Sequence, residues 1–439
     1  MKNCKKPITN NPKLNSRDIA LKSLHLVLQK QFTPTDALHA QPAFLHMDYR
    51  DRAFSLLLLL TTLRRLGQID TAISTLLDKP LAKRYQHITN ILRLGAAQIL
   101  FIDIPSYAIV NTAVNQTKYS RFHAHKGLVN AVLRRMLEQR EKFLLNQDSE
   151  FLNTSSWIWK SWNNFYGEKT CRSIIQAQLV DPPLDLTVKA DIKLWATRLG
   201  GRVLSNNTLR LEHDGPIHEM EGYNEGAWWV QDFAASLPVK LLGNVYDKNI
   251  IEIGAAPGGK TAQLAMSGAR VYALDRSPIR LTMLKNNLQR LKFNANIIEA
   301  NAETWRPDSL ADGLLLDAPC STTGTMRRHP DIMWRRKPSD IHELCNKQLK
   351  LLKAAVEMIK PGALLVYTVC SLEPEEGPLL IDTFLRQCKN TKRVKVKNNE
   401  IEGFSEFITP IGDLLTLPCQ LKSLGGLDGF YSVRLRRNL

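Results

Sequence analysis

The chain lacks the marks of an oxidising compartment and of a membrane. None of its seven cysteines stands in C-x-x-C spacing, and their number is odd. That argues against a disulfide framework or a zinc site and fits free thiols in a reducing cytoplasm. No metal is expected: His329 has no companion at ligand spacing. No apolar run is long enough to span a bilayer; the best, Leu56–Leu60, is soon followed by Arg64 and Arg65. Lys2, Lys5 and Lys6 are not followed by an apolar segment, so no secretory signal is expected. Acidic side chains are scarce beside basic ones, 42 against 59, for a formal charge of +17. This excess favours a polyanionic partner through counterion release. A generally basic soluble protein and an anionic membrane surface are the alternatives.

What is present divides along the chain. At 439 residues there is room for two or three domains. Residues 1–14 are polar and basic and are expected to be disordered. Residues 15–143 read as helix, starting at an Asn15-Ser16 cap, with further helices near 50–65, 68–77, 88–99, 106–117 and 127–142. No nucleophile or metal-type cluster occurs there, so this basic module reads as a binding domain. Arg64, Arg65, Lys126, Arg134 and Arg135 are candidate phosphate contacts, with solvated helix faces an equal reading for each. Residues 144–235 change character: an aromatic stretch around Trp157, Trp159 and Trp162, then short strands near 184–189, 208–213 and 227–232. These read as a small α/β connector whose tryptophans pack rather than stack on bases. Residues 236–439 alternate strand, loop and helix, with strands at 249–253, 270–275, 296–300, 313–317 and 363–369, and a terminal hairpin over 414–417 and 429–435. That is a doubly wound, mostly parallel sheet, which binds ligands beyond the carboxyl ends of its strands.

Three loops at such ends carry chemistry. Gly254-Ala255-Ala256-Pro257-Gly258-Gly259-Lys260-Thr261 matches the phosphate-binding pattern G-x-x-x-x-G-K-[ST], and Leu314-Leu315-Leu316-Asp317 resembles a strand ending in a magnesium-binding acid. An ATPase is therefore one reading. Against it, Asp275 closes the next strand, where an acid binds ribose hydroxyls, and Asp317 leads directly into Pro319-Cys320. A second cysteine, Cys370, follows the strand ending at Val369. A glycine-rich cofactor loop with two strand-end cysteines points to a cofactor-dependent enzyme with a thiolate nucleophile.

The segments 255–261, 317–321, Arg327-Arg328-His329-Pro330-Asp331 with Trp334, and 367–371 with Pro374-Glu375-Glu376 resemble the RNA 5-methylcytosine methyltransferases of the RsmB/Sun/Fmu type. Asp51-Arg52-Ala53-Phe54, Gly67-Gln68-Ile69-Asp70 and the segment 127–135 are similar to the NusB-like RNA-binding domain that precedes the catalytic domain in the bacterial 16S ribosomal RNA enzymes; Gln231-Asp232 fits as well. The resemblance implies an all-α NusB-like domain, a connector and a Rossmann-like class I methyltransferase domain using S-adenosylmethionine. It implies Cys370 as the nucleophile on cytosine C6, Cys320 in removal of the C5 proton, and Asp317 supporting the adduct. Gly254, Ala255, Ala256, Pro257, Gly258, Gly259 and Lys260 would wrap the cofactor, Asp275 would take its ribose, Asn301 would lie beside its adenine, and Asp317 would lie close by. Four positions depart from the family pattern: Gly254 for Cys, Asn301 for Asp, Thr322 for Gly or Ala, and Val369 for Thr. Cys370 needs help to ionise, with Lys260, Arg327 and Arg328 as possible sources. The expected partner is 16S rRNA or a small-subunit assembly intermediate, with no DNA, no membrane and a monomeric chain. The same chemistry on transfer RNA or another ribosomal site, a non-catalytic RNA-binding factor and the ATPase remain alternatives.

Overall fold

The structure is a computed structural model that describes residues 15–118, 122–212, 215–401 and 403–439. The tail expected to be disordered, residues 1–14, lies outside the described residues, as does His213 at the end of one expected strand. The chain forms two compact units. One runs to Ser155 and includes the later stretch His329–Arg335; the other comprises Ser156–Arg328 and Arg336–Leu439.

The first unit is helical. Asn15 caps the helix Ser16–Lys30 by accepting from Arg17 N and Asp18 N, while Asp18 returns a bond to Asn15 N. The long helices Tyr49–Arg64, Leu66–Leu76, Gln86–Phe101, Ser106–Lys118 and Lys126–Glu138 follow. Their apolar faces, with Leu24, Leu59, Ile91, Val132 and Leu133 fully buried, make one core. Two short helices, Pro34–His39 and Pro42–Leu45, are too brief to show periodicity in sequence. The helix expected over 127–142 breaks at Gln139 and resumes as Arg140–Asn146, with Arg140 Nε donating to the Ile99 carbonyl at 2.8 Å. The family-like segments have structural duties here. A Cβ on Gly67 would lie 1.7 Å from the Leu152 carbonyl oxygen, so only glycine fits. Asp70 takes both forks of Arg93 at 2.7 Å, and Asp51 accepts from Ser16 Oγ at 2.8 Å. Trp334 Nε1 donates to the Leu63 carbonyl at 2.7 Å. Of the candidate phosphate contacts, Lys126, Arg134 and Arg135 are exposed on one helix. Arg64 is buried, and Arg65 lies over the Phe101 ring and donates to Gln68; these two are packed into the unit rather than presented to a polyanion.

The second unit opens with helices Ser156–Tyr166 and Glu168–Gln178 and a four-stranded antiparallel sheet: β1 Leu184–Val188, β2 Arg202–Val203, β3 Thr208–Leu211 and β4 Trp228–Val230, in the order β2-β3-β1-β4. Trp162 is fully buried, as a packing role requires. The main sheet follows: β5 Asn249–Ile253, β6 Arg270–Asp275, β7 Asn296–Glu299, β8 Ala311–Asp317, β9 Ile359–Val369, β10 Thr391–Arg393, β11 Leu414–Thr416 and β12 Phe430–Arg437. Its order is β10-β12-β9-β8-β5-β6-β7, with β11 paired to β12. Strands β5 to β9 run parallel, and β12 is antiparallel to its neighbours. The connections leave β5 first toward β6 and then toward β8, so strand order reverses there and a crevice opens at the carboxyl ends of β5 and β8. Among the described residues no helix is long and apolar enough to cross a membrane.

Candidate active site

The loop after β5 lies in that crevice. Gly254 has φ +80°, and a Cβ there would stand 2.2 Å from the Asp317 carbonyl oxygen. The ends of β5 and β8 thus approach too closely for a side chain, which is the local reason for glycine at a position that completes the P-loop pattern. Lys260 is buried and donates to Asp317 Oδ2 at 2.8 Å; Thr261 Oγ1 donates to Glu252 at 2.6 Å. Burial pushes the Glu252 carboxyl up to about 8, against the Thr261 hydrogen bond and Lys260. A P-loop uses its lysine on phosphate and its hydroxyl on magnesium. Here both groups are committed to carboxylates, which counts against the ATPase reading.

Asp275 ends β6 and is buried. Its Oδ1 accepts from Ser277 N at 3.0 Å, while Oδ2 accepts no hydrogen bond among the described residues and lies 3.4 Å from Arg280 Nη1. A buried carboxylate at a strand end, with one oxygen accepting no hydrogen bond, suits a ribose hydroxyl as donor. Asn301 follows β7, its Oδ1 accepting from Glu303 N at 3.1 Å. Gly254, Asp275, Asn301, Asp317, Cys320 and Cys370 all line one cleft of 410 Å³. The loop residues Ala255 to Lys260 line a second cavity of 600 Å³ that shares Asp317 with the first. These residues fit S-adenosylmethionine: an acid for ribose with one oxygen free of hydrogen bonds, a closely approached backbone, and Asp317 at the junction.

Sheet register brings the thiols together. Strands β8 and β9 are parallel neighbours with Asp317 opposite Thr368. Cys320 and Cys370 therefore emerge side by side, their sulfurs 3.5 Å apart. Cys320 is buried, and its thiol is held well above its ordinary range by the hydrogen bond with Cys370, then by burial and by the charges of Cys370 and Glu376. Burial would pull Lys260 down, but Asp317, Cys370 and Glu252 together reverse this and raise it, so the ammonium persists beside Cys370. Arg327 and Arg328, the other two candidate activators, are placed otherwise. Arg327 bonds Asp428 Oδ1 at 2.6 Å and Asp232 Oδ2 at 2.7 Å, and Arg328 bonds the same two carboxylates. They are structural cations, a correction to the reading from sequence, where burial was invisible.

The structure also gives contacts at the site to residues for which the sequence indicated no role. Glu376 bonds the residues after both cysteines, and Glu373, pushed up to about 7 by burial, accepts from Ser161 and from Trp162 Nε1, each at 2.8 Å. Arg336 donates to the Ser321 carbonyl at 3.0 Å from the wall of the cleft. The only signal in sequence was the Pro-Glu-Glu run after Cys370. Thr322 has φ +64°, a left-handed conformation that is costly for a β-branched residue. That left-handed backbone is why glycine suits this place in the cleft wall. Thr322→Gly is expected to raise stability by about 1 kcal/mol, the left-handed penalty less the added freedom of glycine when unfolded. Denaturant midpoints of the two proteins check this; a lower midpoint for the variant would refute it.

Comparison with known proteins agrees with this geometry. The family model for the 16S rRNA methyltransferase RsmB/F matches residues 239–436, and that of the NusB family matches residues 14–138. The ribosomal RNA small subunit methyltransferase B of Proteus mirabilis is 33% identical over 396 residues, covering 86% of this chain and 93% of its own. That of Escherichia fergusonii is 30% identical, covering 89% and 94%. Among solved structures, PH0851 gives a TM-score of 0.76 at 21% identity over 99% of this chain and 100% of its own. NSun6 from Pyrococcus horikoshii with SFG gives 0.56 at 18% identity, over 64% and 98%. At such identities these two likenesses are of fold. The chain belongs to the RsmB/F family of 16S rRNA methyltransferases and is an S-adenosylmethionine-dependent RNA methyltransferase.

Proposed function

We propose that this protein methylates C5 of a cytosine in 16S ribosomal RNA through a covalent adduct with Cys370. The observation that carries the reading is the pair of sulfurs 3.5 Å apart in the same cleft as Asp275, beside the Lys260–Asp317 ion pair. C5 of cytosine is a weak nucleophile, and the base must leave any stack to be reached. The Cys370 thiolate adds to C6, and the C5–C6 electron pair shifts toward C4 and N3, where N3 takes up a proton relayed through Asp317 from the Lys260 ammonium that donates to it at 2.8 Å. When bound, S-adenosylmethionine supplies an electrophilic methyl group on a sulfonium that departs as a neutral thioether. Cys320, its own proton released to solvent at the cleft, then takes the C5 proton as a thiolate; the Cys370–C6 bond breaks with its electrons returning to sulfur, and N3 gives its proton back through Asp317. Two of the causes that keep Cys320 protonated, the hydrogen bond and the charge of Cys370, lapse once Cys370 is bonded to carbon. Adduct formation thereby prepares the base for the second half of the reaction. The exposed cations of the helix Lys126–Glu138 and the net charge of +17 support an RNA substrate.

The test is transfer of labelled methyl from S-adenosylmethionine to unmodified 16S RNA, followed by mapping of the modified base. One labelled cytosine supports the reading; transfer to transfer RNA alone, or to no RNA while the cofactor binds, counts against the ribosomal target. Asp275→Ala should weaken S-adenosylmethionine binding by about 1.5–3 kcal/mol, roughly 10- to 100-fold in Kd by calorimetry. An unchanged Kd would remove Asp275 from the cofactor site.

A further inference from the structure

Glu376 lies six residues beyond Cys370 and is fully buried. Among the described residues no cation pairs with it. Taking a carboxylate out of water without a counterion costs several kcal/mol unless hydrogen bonds replace the solvent, and here they do. Oε1 accepts from Ser321 N at 2.9 Å and from Gln348 Nε2 at 2.8 Å; Oε2 accepts from Ser371 Oγ at 2.6 Å, from Ser321 Oγ and, at 3.2 Å, from Ser321 N. Ser321 follows Cys320 and Ser371 follows Cys370. One carboxylate therefore grips the residues next to both thiols, which belong to loops 50 residues apart in sequence. The loop that carries Glu376 is itself anchored: Tyr367 Oη donates to the Glu376 carbonyl at 2.7 Å.

We propose that Glu376 is the positioning residue of the two-thiol reaction, its carboxylate clamping Ser321 and Ser371 so that the Cys320 and Cys370 sulfurs stay in contact. The inference rests on the adduct reading above, because only a reaction needing both thiols at one carbon pair requires this register. The chemistry demands a carboxylate. Every group aimed at it is a donor, and an ionised carboxylate is acceptor-only, whereas a glutamine would turn its own NH₂ against one of those donors. The charge has a second consequence. It opposes ionisation of Cys320, so the thiol that must wait for the second step stays protonated while Cys370 attacks.

The experiment compares wild type, Glu376→Gln, Ser371→Ala and the double variant for kcat, KM for RNA and Kd for S-adenosylmethionine, with Cys370→Ala in parallel. Glu376→Gln is expected to lower kcat about 10²-fold, the cost of an ångström-scale misplacement, with KM and Kd unchanged. Ser371→Ala, which leaves the carboxylate with Ser321 and Gln348, is expected to lower kcat about 10-fold. The double variant should fall no further than Glu376→Gln alone, since the two act through one contact. If Glu376→Gln does not fold, Ser371→Ala carries the test by its kcat. Wild-type kcat in the folded variants, or a loss confined to KM or Kd, overturns the role of Glu376. Transfer surviving in Cys370→Ala instead sinks the adduct reading, so the two failures are told apart.

Discussion

Cys370→Ala is expected to abolish methyl transfer, by about 10⁴-fold or more, whereas Cys320→Ala is expected to trap protein bonded to RNA. The two sulfurs lie 3.5 Å apart, and their surroundings tell them apart. Lys260 interacts electrostatically with Cys370 and remains cationic. Cys320 is buried and its thiol is pushed up by Cys370, by burial and by Glu376. Cys370 is therefore suited to attack first and Cys320 to accept a proton later. Without Cys370 no adduct forms. Without Cys320 the adduct forms and accepts the methyl group, but the C5 proton has no base at hand and the Cys370–C6 bond stays. Denaturing gels of protein with labelled RNA, beside methyl-transfer counts, separate these outcomes. A stalled adduct in Cys370→Ala and none in Cys320→Ala would exchange the two roles.

How far the sequence anticipates this arrangement depends on the range of the interactions involved. Strands β5 and β6 stand where their apolar runs place them, residue for residue, because both are buried and end at a chemical marker, Gly254 or Asp275. Strand β8 begins earlier than its apolar run, at Ala311, because Asp312 is held by Asn249 N and Lys360 rather than left in a loop. Strand β9 likewise begins at Ile359, across Pro361 and Gly362, which read as breakers in sequence. Strand β10, Thr391–Arg393, is short, polar and paired only with β12, so nothing periodic marks it. The cysteines, Asp317 and Lys260 were legible since strand ends and a glycine loop are local signals. The grip of Glu376 on Ser321 spans 55 residues and leaves no local trace. Burial is equally silent: Arg64, Arg327 and Arg328 look like available cations until the packing around them is seen.

Arg327→Ala is expected to destabilise the second unit by about 3–5 kcal/mol, the cost of leaving a buried charge without its partner. For a unit of this size that is roughly 2–4 °C of Tm per kcal/mol. The side chain of Arg327 is 1% exposed, and those of Asp232 and Asp428 are 4% exposed. Asp232 joins four parts of the fold: it follows β4, caps the helix Phe233–Lys240 through Ala234 N, accepts from Asp428 N in the loop before β12, and receives both arginines. Arg327 also donates to the Gly425 carbonyl at 2.8 Å. Removing it leaves two carboxylates sharing Arg328, whose side chain is 25% exposed and so more weakly coupled. Arg328→Ala should cost less, because water reaches that side of the cluster. The pH dependence carries a sign. Burial works against charge on Asp232, but Arg328 and Arg327 override it and hold the carboxyl well below the usual carboxylate range. Its contribution is then present above the unfolded carboxylate pKa, about 3.9, and is lost as pH falls below that value, since the unfolded chain takes up the proton first. Without Arg327 part of that lowering is gone, so the acid limb of the stability curve should move to higher pH. Denaturant midpoints at pH 7 and near pH 4 measure both effects. A midpoint for Arg327→Ala equal to wild type at pH 7 would show that the remaining guanidinium suffices for two buried carboxylates, and the cluster would then be an ordinary surface-type ion pair in its energetics.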